Sequence, residues 1–340
     1  MHKVVTLGEI LLRLSPDGKN RIVNSCDFEV AFGGAEANVS LSLAGFNIPT
    51  IFLSKVPTNI IGEMAINHLA KYGVDTSYVK RSDQRLGLYY LEKGISMRPY
   101  KVIYDREHSA MASASVDDFD FDQIYQEVTW LHISGITPAL SDSTRELTKI
   151  AIVEAKKRGI IISFDINYRS NLWSEKKAFQ TLASYLKDVD IFIGGNNDVK
   201  NLLLAKYDDN PSMINKIEVM DTKQRYNLFF DKFSMKYMAS TIRKQFSASD
   251  NGWSALLYDG NQYYYSKNYQ IRICDRVGGG DSFAAGLIYG LLTNNDNKYI
   301  INFASAASAL KHTIYGDGNL TTVEEVHKLM GGDSSGRVER

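Results

Sequence analysis

The hydrophobic residues of the chain follow two alternating patterns. Short runs of consecutive apolar residues, many of them β-branched or aromatic, are separated by longer amphipathic segments. Runs without polar alternation are typical of strands covered on both faces, and the amphipathic segments predict helices. The predicted strands are Val4 to Leu7, Thr50 to Leu53, Trp130 to Ser134, Ile160 to Phe164, Ile191 to Ile193 and Tyr237 to Ile242. The predicted helices are Ala35 to Ala44, Ile60 to Tyr72, Ser141 to Arg158, Lys176 to Lys187, Ser282 to Leu292 and Ile300 to Thr313. Strand and helix in alternation imply right-handed βαβ crossovers, and therefore an α/β fold with a mostly parallel central sheet.

Two segments interrupt this alternation. Residues 13–32 and 86–107 contain strand-like residues without a helix, and we expect them to form a small β-sheet that covers a pocket as a lid. The main domain then comprises residues 1–12, 33–85 and 108–330. Residues 207–233 are expected to form an irregular helical insertion. The polar, glycine-rich residues 331–340 are expected to form a flexible tail.

The composition narrows the class of protein. The 340 residues carry a formal net charge of zero and no long basic tract, so nucleic-acid binding through phosphate neutralisation is not expected. No stretch approaches the ~18 apolar residues of a membrane span, and the first residues do not have the pattern of a signal peptide. Cys26 and Cys274 lie far apart, without metal-ligand spacing. We therefore expect a cytoplasmic protein that binds neither membranes nor nucleic acid.

A glycine run near the carboxyl end is the strongest chemical signal. Gly278, Gly279 and Gly280 precede Asp281 and a predicted helix. Consecutive glycines leave backbone N–H groups free to converge on an anion, and the positive end of the helix favours a phosphate at the same place. Asp281 is then placed to remain ionised and to accept a proton from a hydroxyl that attacks a γ-phosphate. A flexible loop followed by an Asp helix cap explains these four residues equally well.

A second glycine motif opens the first predicted helix. Gly33 and Gly34 permit close approach of the backbone to a ligand, and Asn38 offers a donor and an acceptor to sugar hydroxyls. Taken alone, this motif is more typical of a tight turn into a helix.

Together, in this order, the two motifs resemble the signature motifs of the ribokinase (PfkB) superfamily of carbohydrate kinases. Further segments resemble the 2-keto-3-deoxygluconate kinase branch: Tyr104-Asp105-Arg106, His132 to Ile136, Asp165 to Arg169 followed by Leu172-Trp173, Asp275 to Asp281, and Ala309 to Thr313. The resemblance implies a three-layer α/β/α sandwich with a β-sheet lid, and an oligomer formed through the lid.

The resemblance also implies roles for individual residues. Asp281 is the expected catalytic base, and Gly278, Gly279 and Gly280 form the expected anion hole for the ATP phosphates. The expected sugar-acid pocket is lined by Gly34, Tyr89, Tyr104, Arg106 and Arg169, with Asp317 as a further contact to a hydroxyl. An arginine binds a carboxylate with paired, charge-assisted hydrogen bonds that a neutral sugar does not need.

The expected cofactors are ATP and Mg²⁺. ATP is placed near Asn196, Thr241, Arg243 and Gly252. The family motif Asn-x-x-Glu, which helps to hold magnesium, reads Asn196-Asn197-Asp198-Val199 here; Val199 stands in place of the acid, and Asp198 is a possible substitute. Two alternatives stay open: a fructokinase or other neutral-sugar or nucleoside kinase of the same fold, and a catalytically silent sugar-acid sensor.

Overall fold

The computed structural model describes residues 2–293 and 296–332. The strands are β1 Val4–Leu7, β2 Leu11–Pro16, β3 Phe28–Gly33, β4 Thr50–Leu53, β5 Lys55–Pro57, β6 Lys80–Ser82, β7 Leu88–Glu92, β8 Lys101–Asp105, β9 Trp130–Ser134, β10 Ile161–Asp165, β11 Ile191–Ile193, β12 Tyr237–Gln245, β13 Asp250–Tyr258, β14 Tyr263–Tyr265 and β15 Tyr269–Arg272. The helices are α1 Ala35–Gly45, α2 Ile60–Ala70, α3 Phe121–Ile124, α4 Asp142–Lys157, α5 Glu175–Tyr185, α6 Asn196–Lys206, α7 Pro211–Val219, α8 Thr222–Phe233, α9 Gly279–Leu292, α10 Asn297–Lys311 and α11 Val323–Gly331.

The main sheet has the order β14-β13-β12-β11-β10-β9-β1-β4, with β15 also paired to β13. Every pairing from β4 through β12 is parallel, and β13 to β15 extend the sheet in antiparallel fashion. All the strands predicted from apolar runs are present, which confirms the mostly parallel sheet. The antiparallel extension was not predicted, because its strands follow one another without the helical spacer that marked the others.

Helices cover both faces of this sheet, and consecutive residues of β1 show it. Val5 belongs to a core shared with α4, α5, α6 and α8, for example with Leu147, whereas Val4 belongs to a second core shared with α1, α9 and α10, for example with Phe283. Since neighbouring strand residues point to opposite faces, the two cores lie on the two sides of the sheet. The fold is therefore a three-layer, ribokinase-like α/β/α sandwich.

A separate four-stranded sheet has the order β3-β2-β7-β8, and we call it the lid. Its strands coincide with the two segments that lacked helices, although β2 starts before residue 13 and β3 ends after residue 32. Arg13 lies opposite both Ala31 and Tyr89, and Tyr89 lies opposite Tyr104. Directly opposed residues point to the same side, so Arg13, Tyr89 and Tyr104 share one face of the lid.

Two predicted segments differ from the structure. Residues 211–219 and 222–233 form the regular helices α7 and α8 rather than an irregular insertion, because Phe229 and Phe233 bury an apolar face against the core. Gly331 closes α11, so this helix reaches into the segment predicted as a tail. The rest of that segment, 333–340, lies outside the described residues. Among the described helices, none combines the length and apolarity that would carry it across a bilayer.

Candidate active site

A cavity of about 510 Å³ lies between the lid and the carboxyl ends of the parallel strands. This edge is where open α/β sheets bind ligands. Its walls contain most of the residues singled out from the sequence: Gly34, Tyr89, Tyr104, Arg106, Arg169, Arg243, Gly278, Gly279, Gly280, Asp281 and Asp317. They also contain residues to which the sequence had assigned no role: Glu9, Asp165, Asn167 and Arg276. The site is thus one compartment built from both sheets.

The glycine run forms the start of α9. Gly278 precedes the helix with φ 84°, in the left-handed region that favours glycine, and a Cβ there would lie 1.9 Å from the Asp317 carbonyl oxygen. Gly279 and Gly280 occupy the first helical turn, whose N–H groups have no partner within the helix. The first turn and the helix dipole therefore present positive charge to the cavity.

Asp281 follows in the same turn and meets the start of α1. The Asn38 side chain donates from Nδ2 to Asp281 Oδ2 at 2.7 Å, so the amide expected to meet a sugar hydroxyl holds the carboxylate instead. Burial raises the pKa of Asp281 to about 7; the Asn38 hydrogen bond and Arg169 oppose the shift, while Asp317 adds repulsion. The sequence had suggested a carboxylate that stays ionised. A pKa of about 7 instead makes the ionisation of Asp281 depend on pH in the neutral range.

Arg106 enters the cavity from the end of β8 with its charge already paired. Its Nε donates to Glu9 Oε2 at 2.8 Å, and its Nη2 donates to the same oxygen. Glu9, which follows β1, also accepts a hydrogen bond from Ser109. Both members of the pair are buried. Glu9 thereby fixes the guanidinium of Arg106 against the wall and leaves Nη1 as the nitrogen without a hydrogen bond to Glu9.

Arg169 is the more available guanidinium. It follows β10 and Asn167, which adopts a left-handed φ of 36°. Among the described residues, no ion pair or side-chain hydrogen bond engages Arg169. Its charge does act on its neighbours, since it opposes the rise in the pKa that burial causes at both Asp281 and Asp165. A positive side chain with unfilled hydrogen-bonding capacity therefore lies in the same cavity as Asp281.

Asp165 lines the cavity near that arginine, and Asp198 lies close enough to Asp165 for its charge to act on it. Burial raises the pKa of Asp165 to about 8, and the charges of Asp281 and Asp198 add to the rise. Asp198 accepts a hydrogen bond from the Gly195 amide at 2.7 Å at the start of α6. Val199 is fully buried in the core. The acid at this helix start is thus Asp198, one position before the residue matched to the family motif.

Two further arginines flank the glycine run. The guanidinium of Arg243 lies over the Trp253 ring at 5.0 Å, and that of Arg276 lies over the Tyr100 ring at 5.4 Å. They are close enough for mutual repulsion: burial lowers the pKa of Arg243, and the charge of Arg276 adds to this. Two like charges held beside free N–H groups are suited to an anion that carries several charges. Arg276 could have been suspected from its position two residues before Gly278.

Three residues assigned to the nucleotide do not line this cavity. Thr241 and Gly252 are paired within the β12–β13 ladder, opposite Ala255 and Lys244. The Asn196 side chain accepts a hydrogen bond from Arg225 at 3.4 Å. Their assignment to the nucleotide stays a prediction, whereas Arg243 does reach the cavity wall.

The family model for pfkB family carbohydrate kinases matches residues 1–227 and 247–323. The chain belongs to the pfkB family of carbohydrate kinases. The resemblance inferred from the two glycine motifs is confirmed. As a carbohydrate kinase, the protein is a phosphotransferase with an alcohol group as acceptor.

Three similar proteins illustrate the range of this family. A 2-dehydro-3-deoxygalactonokinase of Haloferax volcanii is 29% identical over 334 residues, which are 98% of each chain. The crystal structure of 2-dehydro-3-deoxygluconokinase from Thermotoga maritima has a TM-score of 0.89 and 40% identity, and the match covers 98% of this kinase and 100% of that chain. A putative ribokinase II from E. coli, in complex with ATP and Mg²⁺, has a TM-score of 0.81 at 21% identity, covers 98% and 100% of the two chains, and shows a shared fold.

Proposed function

We propose that this kinase phosphorylates a hydroxyl of 2-keto-3-deoxygluconate. The observation that carries the proposal is Arg169, a guanidinium without an ion pair among the described residues, in the same cavity as Asp281. Arg106 lies on the lid side of that cavity, where Glu9 fixes its orientation. A keto-deoxy sugar acid has a carboxylate that Arg169 can bind through two parallel N–H···O hydrogen bonds. The names of the Haloferax and Thermotoga relatives support the same class of acceptor.

In this proposal the sugar hydroxyl attacks the γ-phosphorus of ATP. Asp281 accepts the hydroxyl proton as the new O–P bond forms and the bond to the β–γ bridging oxygen breaks. Gly278, Gly279 and Gly280 present N–H groups to the charge on the transferring phosphoryl oxygens, and Arg243 and Arg276 bind the remaining phosphates. Most of the catalytic effect then comes from positioning and from charges that are already in place.

Tyr89 and Tyr104 form the wall on the lid side. Their rings lie 5.8 Å apart, and Tyr104 also lies 5.4 Å from the guanidinium carbon of Arg106. Flat apolar faces with polar tips are suited to a sugar ring or chain. With the lid over the cavity, water is excluded, so that the sugar hydroxyl and not water takes the phosphoryl group.

Asp165 and Asp198 are the carboxylates that would hold Mg²⁺ in combination with ATP. Among the residues that the structure describes, no cluster of three or more His, Cys, Asp or Glu side chains is able to hold a metal ion. Magnesium is commonly held by one or two carboxylates together with phosphates and water, and Asp198 and Asp165 supply such carboxylates. When bound there, the ion would neutralise charge on the β- and γ-phosphates.

A comparison of turnover with different acceptors tests which sugar the kinase phosphorylates. A coupled ATP-consumption assay is run with 2-keto-3-deoxygluconate, 2-keto-3-deoxygalactonate and fructose. We expect kcat/KM for the sugar acids to exceed that for fructose by at least about 100-fold. Fructose has no carboxylate, and a factor of this size corresponds to the free energy of charged hydrogen bonds such as those to Arg169. A preference for fructose would contradict the sugar-acid proposal and favour a neutral-sugar kinase. Binding of a sugar acid without any ATP consumption would favour a silent sensor.

We also propose that the lid mediates a homodimer. Val30, Leu14, Tyr90 and Ile103 lie opposite one another across the lid strands, on the face that points away from Tyr89. The ends of this row are open to solvent, with Val30 55% and Ile103 54% exposed. An apolar row that spans a four-stranded sheet is suited to packing against the same row of a second copy.

A further inference from the structure

Arg13 lies on the inner face of the lid and was given no role by the sequence. Its side chain is 3% exposed and uses all three nitrogens. Nε donates to Ser15 at 2.9 Å, Nη1 donates to Asp317 at 2.6 Å, and Nη2 donates to Asp275 at 2.5 Å. One lid residue therefore joins two carboxylates of the main domain.

Asp275 connects Arg13 to the entry of the glycine run. One carboxylate oxygen accepts a hydrogen bond from the Val277 amide at 3.3 Å, and the other accepts one from the Gly316 amide at 3.2 Å. Its carbonyl accepts a hydrogen bond from the buried ammonium of Lys311 at 3.3 Å. The segment that leads into Gly278 is thus held from several directions by a residue whose carboxylate is paired with the lid.

Asp317 connects Arg13 to the glycine run from the other side. Its carboxylate accepts hydrogen bonds from Arg13 and from the Tyr89 hydroxyl. A Cβ at Gly278 would lie 1.9 Å from the Asp317 carbonyl oxygen, and a Cβ at Gly33 would lie 1.9 Å from the Asp317 carboxylate. Residue 317 is therefore wedged between the end of a lid strand and the first glycine of the run.

We propose that Arg13 is a positioning residue that ties the lid to the glycine run, so that lid placement and anion-hole geometry are set together. Arg13 does not line the cavity and acts through Asp275 and Asp317. The proposal rests on the proposed kinase function, since it assigns the work of the anion hole to Gly278 to Gly280.

The charges explain why an arginine is needed at this position. Two buried cations, Arg13 and Lys311, face two buried anions, Asp275 and Asp317. Burial raises the pKa of Asp317, and Arg13 opposes that rise. Without Arg13 the two carboxylates repel each other in a poorly solvated space, and the rise in the pKa of Asp317 is no longer opposed. A protonated Asp317 accepts the hydrogen bond from the Tyr89 hydroxyl less strongly, so the position of residue 317 against Gly278 becomes dependent on pH.

The test compares Arg13→Met and Arg13→Lys with the wild type. For Arg13→Met we expect kcat to fall at least about 100-fold, as for a misplaced reacting group. The acidic limb of its pH–kcat profile should move to higher pH by at least about one unit, since Asp317 must be ionised to keep its place against the run and Arg13 no longer opposes the rise in its pKa. Arg13→Lys keeps the charge but reaches only one carboxylate. The acidic limb should therefore return to its wild-type position, while kcat stays about tenfold below that of the wild type.

Lys55→Met is the control, because it removes a partly buried cation that is paired with Asp118 away from the cavity. Its kcat should stay within about twofold of the wild-type value.

Loss of folding is separated from loss of positioning by Arg13→Met/Asp275→Asn, which restores the charge balance. We expect this variant to regain the wild-type Tm and to keep a low kcat, because the tie is still missing. Recovery of wild-type kcat in the double variant would overturn the proposal, as would a folded Arg13→Met enzyme with a wild-type kcat and pH profile. All rates are measured with the acceptor that the wild type phosphorylates fastest. A wrong assignment of the substrate is then detected in the turnover assay with different acceptors and does not affect the test of Arg13.

Discussion

At the scale of single residues, the reactivity of the site depends on how one carboxylate is surrounded. Asp281 lies at a helix start, which favours its ionised form, but burial is the larger effect and raises its pKa to about 7. In the proposed reaction, the ionised form of Asp281 is the base. The reaction should therefore slow as pH falls through this pKa, by about tenfold for each pH unit below it.

Substitution of Asp281 by Asn tests this role. Asp281→Asn keeps the shape and the contact with Asn38 but cannot accept the proton, so we expect kcat to fall by at least about 100-fold. The acidic limb in kcat/KM should disappear as well. Calorimetry should show nearly unchanged affinity for the sugar acid. Retained turnover would refute the assignment of the base.

Arg169 provides a test of substrate binding at the same scale. Arg169→Lys keeps the positive charge but loses the planar pair of donors. We expect KM for the sugar acid to rise about tenfold, since a charge-assisted hydrogen bond contributes about 1.5 kcal/mol, with a smaller change in KM for ATP. The matched control is Arg85→Lys, because Arg85 makes an exposed ion pair with Asp105 on the lid edge. An unchanged KM in Arg169→Lys would remove this residue from the substrate site.

At the scale of elements, the start of α9 depends on the backbone of one glycine. Gly278→Ala forces a side chain onto a left-handed φ and against the Asp317 carbonyl. We expect it to destabilise the protein by at least about 2 kcal/mol. Gly280→Ala is the matched comparison, since its Cβ would meet no atom within 4 Å. It should leave stability equal or raise it by up to about 1 kcal/mol, because alanine favours the helix. Chemical denaturation measures both; equal losses would contradict the argument.

At the scale of the whole molecule, the lid has two faces with different tasks. The inner face carries Tyr89 and Tyr104, which line the cavity, and Arg13, which contacts the main domain beside it. The outer face carries the apolar row that ends at Ile103. If the outer row joins two copies, Ile103→Glu should dissociate the dimer and leave the protomer folded, since Ile103 is solvent-facing in the single chain. Sedimentation velocity measures the state. Val219→Glu is the control, because Val219 is exposed on α7, away from the lid. A wild type that sediments as a monomer would contradict the lid interface.

The sequence by itself determined the layers of the fold and the family. Unbroken apolar runs such as Val4–Leu7 and Trp130–Ser134 predict buried parallel strands, because a strand that is buried on both faces shows no alternation with polar residues. The glycine run and Asp281 were evident because they are contiguous in the sequence, and the role proposed for them depends on local backbone geometry. Helix was expected at residues 207–233, but the regularity of α7 and α8 was not, because it depends on the packing of side chains such as Phe229 against the core.

Only the tertiary structure decided how the charged residues pair. Arg106 and Arg169 looked equivalent as carboxylate ligands, yet Glu9 engages one and leaves the other available. Arg13 and Asp317 are 304 positions apart and are brought together by the packing of the lid on the main domain. Local patterns cannot show such pairs, because a buried charge is defined by the partner that folding places beside it. The sequence thus determined the fold class and the residues of the proposed site, and the fold decided which of their charges are paired.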